Sequence, residues 1–429
     1  LGEEPMYTPR RRRIGCWTAV ATVVLAIVGL IRWWTAPIDI PRPQRPPEPA
    51  DNPYDVYRSL AAYTAQIFRN DPMLSYAEQE LFPSRYNLRL DRPELTGYLV
   101  RRMSPVRREY RRYLRKPCVV IMEYTPVWQF PELAEFRRWA SIEALDIALA
   151  AQEGDYARAV ENYQTVLILA EQIRTQGNML HHLVGSAMQA VVNRRMSEIL
   201  PLLPIRQCEQ LVAAVREWEK YRVPPEQAIA VERATLLSLL HDLYAGKVDA
   251  MRAVAENRAV MRWNPRWLNL RRAARELNSY LRLAEKEVSK PVVQQKRWEP
   301  PPHPVVRLLM PVYEGLALST AEATTRIRLL GCAAAVRAYR LKHGSYPATL
   351  SEAGVADLDK DPFTGGHFVY KPAEKGFLLY SVGKDGKDDG GWLMAERVRG
   401  EGDISLLPFM GRPRGAGGEA EKGEPVWLK

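Results

Sequence analysis

The sequence predicts a mainly α protein with three parts: an N-terminal transmembrane helix, a helical-hairpin domain, and a small C-terminal α+β domain with a long helix. Residues 14–31 form an uncharged apolar run. Apolar side chains then recur at helical spacing through most of 54–289, and two short strand-like runs with Gly- and Asp-rich turns follow the last long helical stretch. At 429 residues the chain exceeds one domain, and its 46% apolar share is ordinary for a protein that buries a core.

The membrane segment, IGCWTAVATVVLAIVGLI, would rise about 27 Å as a helix, close to the ~30 Å hydrocarbon thickness of a bilayer. Arg10, Arg11, Arg12 and Arg13 precede it, and Arg32, Trp33 and Trp34 follow, which sets the N-terminus on the cytoplasmic side and anchors the far end at the interface. A cleaved secretory signal would need a small-x-small site where the Trp pair stands, so a retained single span is expected. The chain opens on Leu1, and Met6 is the candidate start. The expected organisation is a basic cytoplasmic tail at 1–13, the span with its Trp pair at 14–34, and a stalk at 35–53 whose seven prolines favour extended polyproline geometry. A helical domain at 54–300, an α+β domain at 305–410 and a disordered Gly- and charge-rich tail at 411–429 complete it.

Asp51-Asn52-Pro53 supplies capping side chains and a first-turn proline for a helix over 54–69. Further helices are expected at roughly 91–116, 131–153, 155–176, 178–200, 205–221, 225–245, 247–262 and 266–289, separated by Pro, Gly or Asn breaks. Residues 141–171 resemble one tetratricopeptide-type hairpin: Glu153-Gly154-Asp155-Tyr156 form the turn, and Ala157, Ala159, Tyr163 and Leu169 follow at that repeat's spacing. No 34-residue period continues it, so an ordinary helical hairpin is expected here. After the PPHP break, 305–343 reads as a long helix, HFVYK at 367–371 and GFLLYSVG at 376–383 as strands, and 403–407 as one more strand.

Several features bear on function. The net charge of +11 favours acidic partners, and an extracytoplasmic body argues against nucleic acid. Residues 101–116 (RRMSPVRREYRRYLRK) hold eight basic residues against Glu109, a candidate surface for polyanions or anionic lipid, or else a salt-bridged helix face. Cys16, Cys118, Cys208 and Cys332 show no metal-binding spacing, and buried free thiols are expected. His181-His182 are adjacent, and His241-Asp242 form a dyad only in sequence, with no nucleophile near.

In the C-terminal stretch the helix running into Tyr339 and HGSYP, then Asp361-Pro362-Phe363 with Gly365-Gly366 and Tyr370, then LYSVG leading into the 384–391 loop KDGKDDGG, resembles the globular part of type II secretion major pseudopilins. The whole arrangement resembles a family of bacterial membrane-anchored proteins that carry such a head and offer no established activity to carry over. The resemblance implies a long helix packed on a small antiparallel sheet, and calcium at the acidic loop. Asp385, Asp388 and Asp389 would be the side-chain ligands and the Ser381 carbonyl a fourth, because clustered carboxylates repel until a hard cation screens them. The loop is shorter than the secretion version and the membrane helix is not continuous with the head. The expectation is therefore a scaffold or interaction protein in the cytoplasmic (inner) membrane, its bulk periplasmic, with a protein partner in the envelope and no catalytic activity. An envelope hydrolase and polyanion binding through 101–116 are the alternatives.

Overall fold

The computed structural model describes residues 22–29, 46–82, 91–122, 130–244, 270–296, 299, 301–303, 306–307, 313–374, 376–388, 390–391 and 402–406. The chain divides into two units, Leu1–Arg42 and Pro43–Lys429. In the first unit, residues 22–29 are helical with exposed side chains, and the rest of the expected 14–34 span lies outside the described residues. Among the described residues no helix is long and apolar enough to cross a membrane.

The second unit is mainly helical with a small antiparallel sheet. Its helices are α1 (Pro53–Asn70), α2 (Pro72–Leu81), α3 (Pro93–Arg111), α4 (Glu132–Gln152), α5 (Tyr156–Gln172), α6 (Met179–Ile199), α7 (Ile205–Tyr221), α8 (Pro225–Tyr244), α9 (Leu270–Val288) and α10 (Tyr313–His343). Strands β1 (Val369–Ala373), β2 (Gly376–Ser381) and β3 (Ile404–Ser405) pair antiparallel in that order. Val369 stands opposite Tyr380, and Ser381 opposite Ile404. The helix expected at 247–262, the tail at 411–429 and stalk residues 35–45 lie outside the described residues.

Helix starts follow their caps. Asn52 accepts from Tyr54 N and also exchanges two hydrogen bonds with Val119, its Nδ2 donating to the carbonyl at 2.8 Å and its Oδ1 accepting at 3.0 Å. α2, which the sequence reading passed over, begins the same way, with Asp71 accepting from Met73 N and Leu74 N ahead of Pro72. The 153–156 turn joins α4 to α5 as a hairpin, with Gly154 at φ 75° and Asp155 N bonded to Ala150 O at 2.8 Å.

One continuous core runs from Tyr54 to Leu406. At its N-terminal end Trp139 stacks on Tyr110 at 5.1 Å and donates its indole N–H to Thr64 Oγ1 at 3.1 Å. α10 lies against both α6 and α7, so within Pro43–Lys429 the helical body (54–300) and the C-terminal unit (305–410) share this core. Gly331 allows the close approach: a Cβ there would stand 3.0 Å from Leu358 Cδ1 and 3.2 Å from Val215 Cγ1. Polar ties secure the same seam. Arg216 forks onto Asp357 at 2.7 and 2.8 Å, Arg328 bonds Glu219 at 2.5 Å, Arg337 bonds Leu203 O at 3.0 Å, and Lys342 pairs with Glu209.

Candidate functional site: the loop end of the C-terminal unit

β2 is buried along its whole length and delivers Tyr380 and Ser381 to the end of the sheet where three loops meet. The first loop, 361–366, closes on Asp361. Its side chain accepts from Phe363 N at 2.8 Å, from Ser381 Oγ at 2.9 Å and from Thr364 Oγ1 at 3.3 Å, while its backbone accepts from Gly365 N at 2.8 Å. Burial raises the Asp361 carboxyl above its ordinary value, against these donors and Arg328. Arg328 also donates to Lys360 O at 2.7 Å, tying the turn to α10.

The second loop carries the acidic residues. Gly383 has φ 68°, and a Cβ there would meet Gly402 O at 2.3 Å, so only glycine fits. Asp385 Oδ1 accepts from Lys387 N at 3.2 Å, and Asp388 Oδ1 from Gly390 N at 2.9 Å, each carboxylate closing its own two-residue turn. Asp388 Oδ1 also accepts from the Tyr380 hydroxyl at 2.8 Å, and its Oδ2 lies 3.8 Å from Lys371 Nζ. The Tyr380 hydrogen bond is the main cause that lowers the Asp388 carboxyl below its ordinary value. Asp389 lies outside the described residues. Ser381 contributes its hydroxyl to Asp361 and accepts from Gly383 N at 3.1 Å. Gly391 packs on the Tyr380 ring and donates to Asp403 Oδ2 at 2.7 Å. Among the described residues no three His, Cys, Asp or Glu side chains stand together as a metal group, and a cation at Asp388 would have to take it from Lys371 and Tyr380.

The third element was not foreseen. Residues after α9 lie as a strap on the 361–366 turn: Val293 N donates to Phe363 O at 3.0 Å, Val292 N to Pro362 O at 3.4 Å, and Gln294 Nε2 to Thr364 O at 3.1 Å. Gly365 makes room for it, since a Cβ there would meet Pro291 Cγ at 2.8 Å. The contact spans about 70 residues of sequence, and no feature singled out in the sequence anticipated it.

The other singled-out residues are structural in their surroundings. Six of the eight basic residues of 101–116 are ion-paired: Arg102 with Asp71, Arg107 and Arg111 with Glu143, Arg112 with Glu109, Arg115 with Glu217, and Lys116 with Asp51. Arg107 points inward and binds both oxygens of buried Glu143, at 2.9 and 2.6 Å, and Asp146 at 2.6 Å. Burial would raise the Glu143 carboxyl, but Arg107 and Arg111 overcome it and hold the group below its ordinary value. The segment is thus largely the salt-bridged alternative of the sequence reading.

A second buried carboxylate, Glu171, accepts from Arg174 at 2.7 Å, Gln189 at 2.6 Å, Trp218 Nε1 at 2.7 Å and Val223 N at 2.9 Å. The sequence reading did not single it out. His181 is buried between Tyr54 Oη at 2.9 Å and the Asn178 amide at 2.7 Å, and burial lowers it to about 3; burial also lowers His182. His241 Nδ1 stands 3.7 Å from Asp242 Oδ1, beyond hydrogen-bond range. Cys118, Cys208 and Cys332 are buried free thiols, and burial pushes Cys118 up to about 12 and Cys208 to about 11.

No family model, curated protein or solved structure matches the chain, and its chemistry is read from its own residues.

Proposed function

We propose that the chain is a membrane-anchored scaffold or interaction protein of the cell envelope, N-terminus cytoplasmic and bulk outside, engaging a pilus-like or type II secretion assembly through its pseudopilin-like C-terminal unit. The observation that supports it is the seam between α10 and the helices α6 and α7. Apolar packing, the Arg216–Asp357 fork and the Arg328–Glu219 bond fasten the C-terminal unit to the helical body, as a part that transmits position requires. The loop end carrying Asp385 and Asp388 is the face left to meet a partner.

Photo-crosslinking residues placed at the exposed His367 and at Asp385 in the full chain in native membranes test this. They should capture one envelope protein specifically, while the same probe at Arg58 on α1 does not. Recovery of no envelope protein from the loop end rejects the reading.

Calcium at Asp385, Asp388 and Asp389 is proposed as the accompanying ligand, with the ion replacing the Lys371 ammonium beside Asp388. Calcium at about one hundred times its dissociation constant should then stabilise the protein by ~2.7 kcal/mol. Asp388→Asn should abolish that gain. Identical melting curves in calcium and chelator would remove the ion from the proposal and leave the scaffold reading standing.

A further inference from the structure

Among the described residues, α8 and α9 form a pair set largely outside the continuous core. The continuous core includes Val231 of α8 but none of the other buried apolar residues of that pair, such as Ile229, Leu236, Leu240, Leu277 and Leu281. α8 and α9 pack chiefly on one another, and Arg233 of α8 reaches across to Glu285 of α9 at 2.6 Å. The pair is a limb that meets the rest of the unit at α6 and α10.

Polar latches attach it through the first half of α8 and the residues after α9. Beside Val231, the buried Glu232 carboxylate accepts from Met179 N at 3.2 Å, the first N–H of α6. Gln227 Oε1 accepts from Gln176 N at 2.8 Å, at a residue held in the left-handed region with φ 61°. After α9, at the same end of the pair, the strap at 291–294 hangs the limb on the Asp361 turn.

We propose that the α8–α9 limb is a proton-gated element: it is docked on α6 while Glu232 is protonated and loosens when that carboxyl ionises. The inference goes beyond the scaffold reading and does not depend on it. Glu232 Oε2 is buried with no hydrogen-bond partner, so an ionised carboxylate there keeps one oxygen neither solvated nor paired. Among the described residues few charges offset this. On α6, His181 and His182 are kept neutral by burial; ahead of it Arg174 is paired with Glu171. On the limb Arg233 is turned to Glu285, and on α10 Glu322 and Arg326 pair with one another. Burial accordingly raises Glu232 to about 7, with the Met179 N–H opposing. Because the docked value lies above the free one, docking is fully favourable below the ordinary carboxyl value and weakens as pH rises toward about 7.

Amide hydrogen exchange on the full chain, corrected for intrinsic rates, tests this. The protection of 270–288 relative to 156–172 should fall about tenfold or more between roughly pH 5.5 and pH 8.5. In Glu232→Gln the ratio should stay flat with pH. Gln227→Ala, which removes the uncharged latch, should lower limb protection at every pH without moving the midpoint. A ratio independent of pH in the native chain overturns the proposal without recourse to any variant, and so does an equal fall in Glu232→Gln.

Discussion

Removing the Glu143 carboxylate would strand Arg107 inside the helical body, because the guanidinium has only Asp146 and a long contact of 3.5 Å to Asn162 left. Breaking a buried pair by deleting one partner costs about 3–5 kcal/mol, far more than an exposed pair is worth. Glu143→Ala should therefore lower the denaturation free energy by about that amount, read from urea unfolding. Glu109→Ala, which unpairs only the exposed Arg112, should change it by less than about 1 kcal/mol. A similar loss in both variants would show that Arg107 finds water when unpaired. Gly185 marks a comparable constraint in the second network, since a Cβ there would stand 2.5 Å from Arg174 Nε. The composition of 101–116 made the segment conspicuous in sequence, but not which arginines turn inward. That depends on Glu143 and Asp146 standing on one face of α4, which a charge count along α3 does not contain.

At the scale of elements, α10 is the informative case. Sequence periodicity places its end well, and expected and observed boundaries coincide for α7 and differ by one or two residues for α1, α4 and α6. Gly331 sits where α10 comes nearest α7, so Gly331→Leu should push the helices apart and cost about 1–3 kcal/mol from overpacking. A melting curve unchanged from the native chain would mean that Leu358 and Val215 swing clear. Legibility failed where the determinants were long-range or easily read as a boundary. α2 was missed because Asn70-Asp71-Pro72 reads as the end of α1, although Asp71-Pro72 repeats the Asn52-Pro53 signature that did reveal a helix start. The strap was illegible because two backbone N–H groups and a Gln amide make it, and none of these leaves a pattern in side-chain spacing. At the loop end Asp385 and Asp388 were visible as an acidic cluster, but not that Tyr380 and Lys371 engage Asp388. Those partners come from neighbouring strands, and their meeting is set by strand register.

For the whole molecule, the two buried glutamates with opposite displacements set a pH window. Glu143 lies below the ordinary 4.5, so its contribution is present above that value and is lost as pH falls through the lower folded value. Glu232 lies at about 7, so its contribution is present below 4.5 and is lost as pH rises toward 7. The melting temperature should consequently peak in mildly acidic buffer and decline on both sides. Glu232→Gln should flatten only the alkaline side. A melting temperature that keeps rising between about pH 5 and pH 7 would contradict the assignment of Glu232.

The strap has a bearing on how such a chain came to be assembled and on how it can be cut. A gene segment starting at residue 305 encodes the long helix and the sheet but omits Pro291–Gln294, and it exposes the side of α10 that Gly331 lays against Val215. Expressed by itself, that piece would leave the carbonyls of Pro362 and Phe363 without their donors and an apolar helix flank in water. The C-terminal unit is therefore not a portable cassette: transplanted onto another anchor, it has to bring the strap that follows α9 and residues of α7 with it.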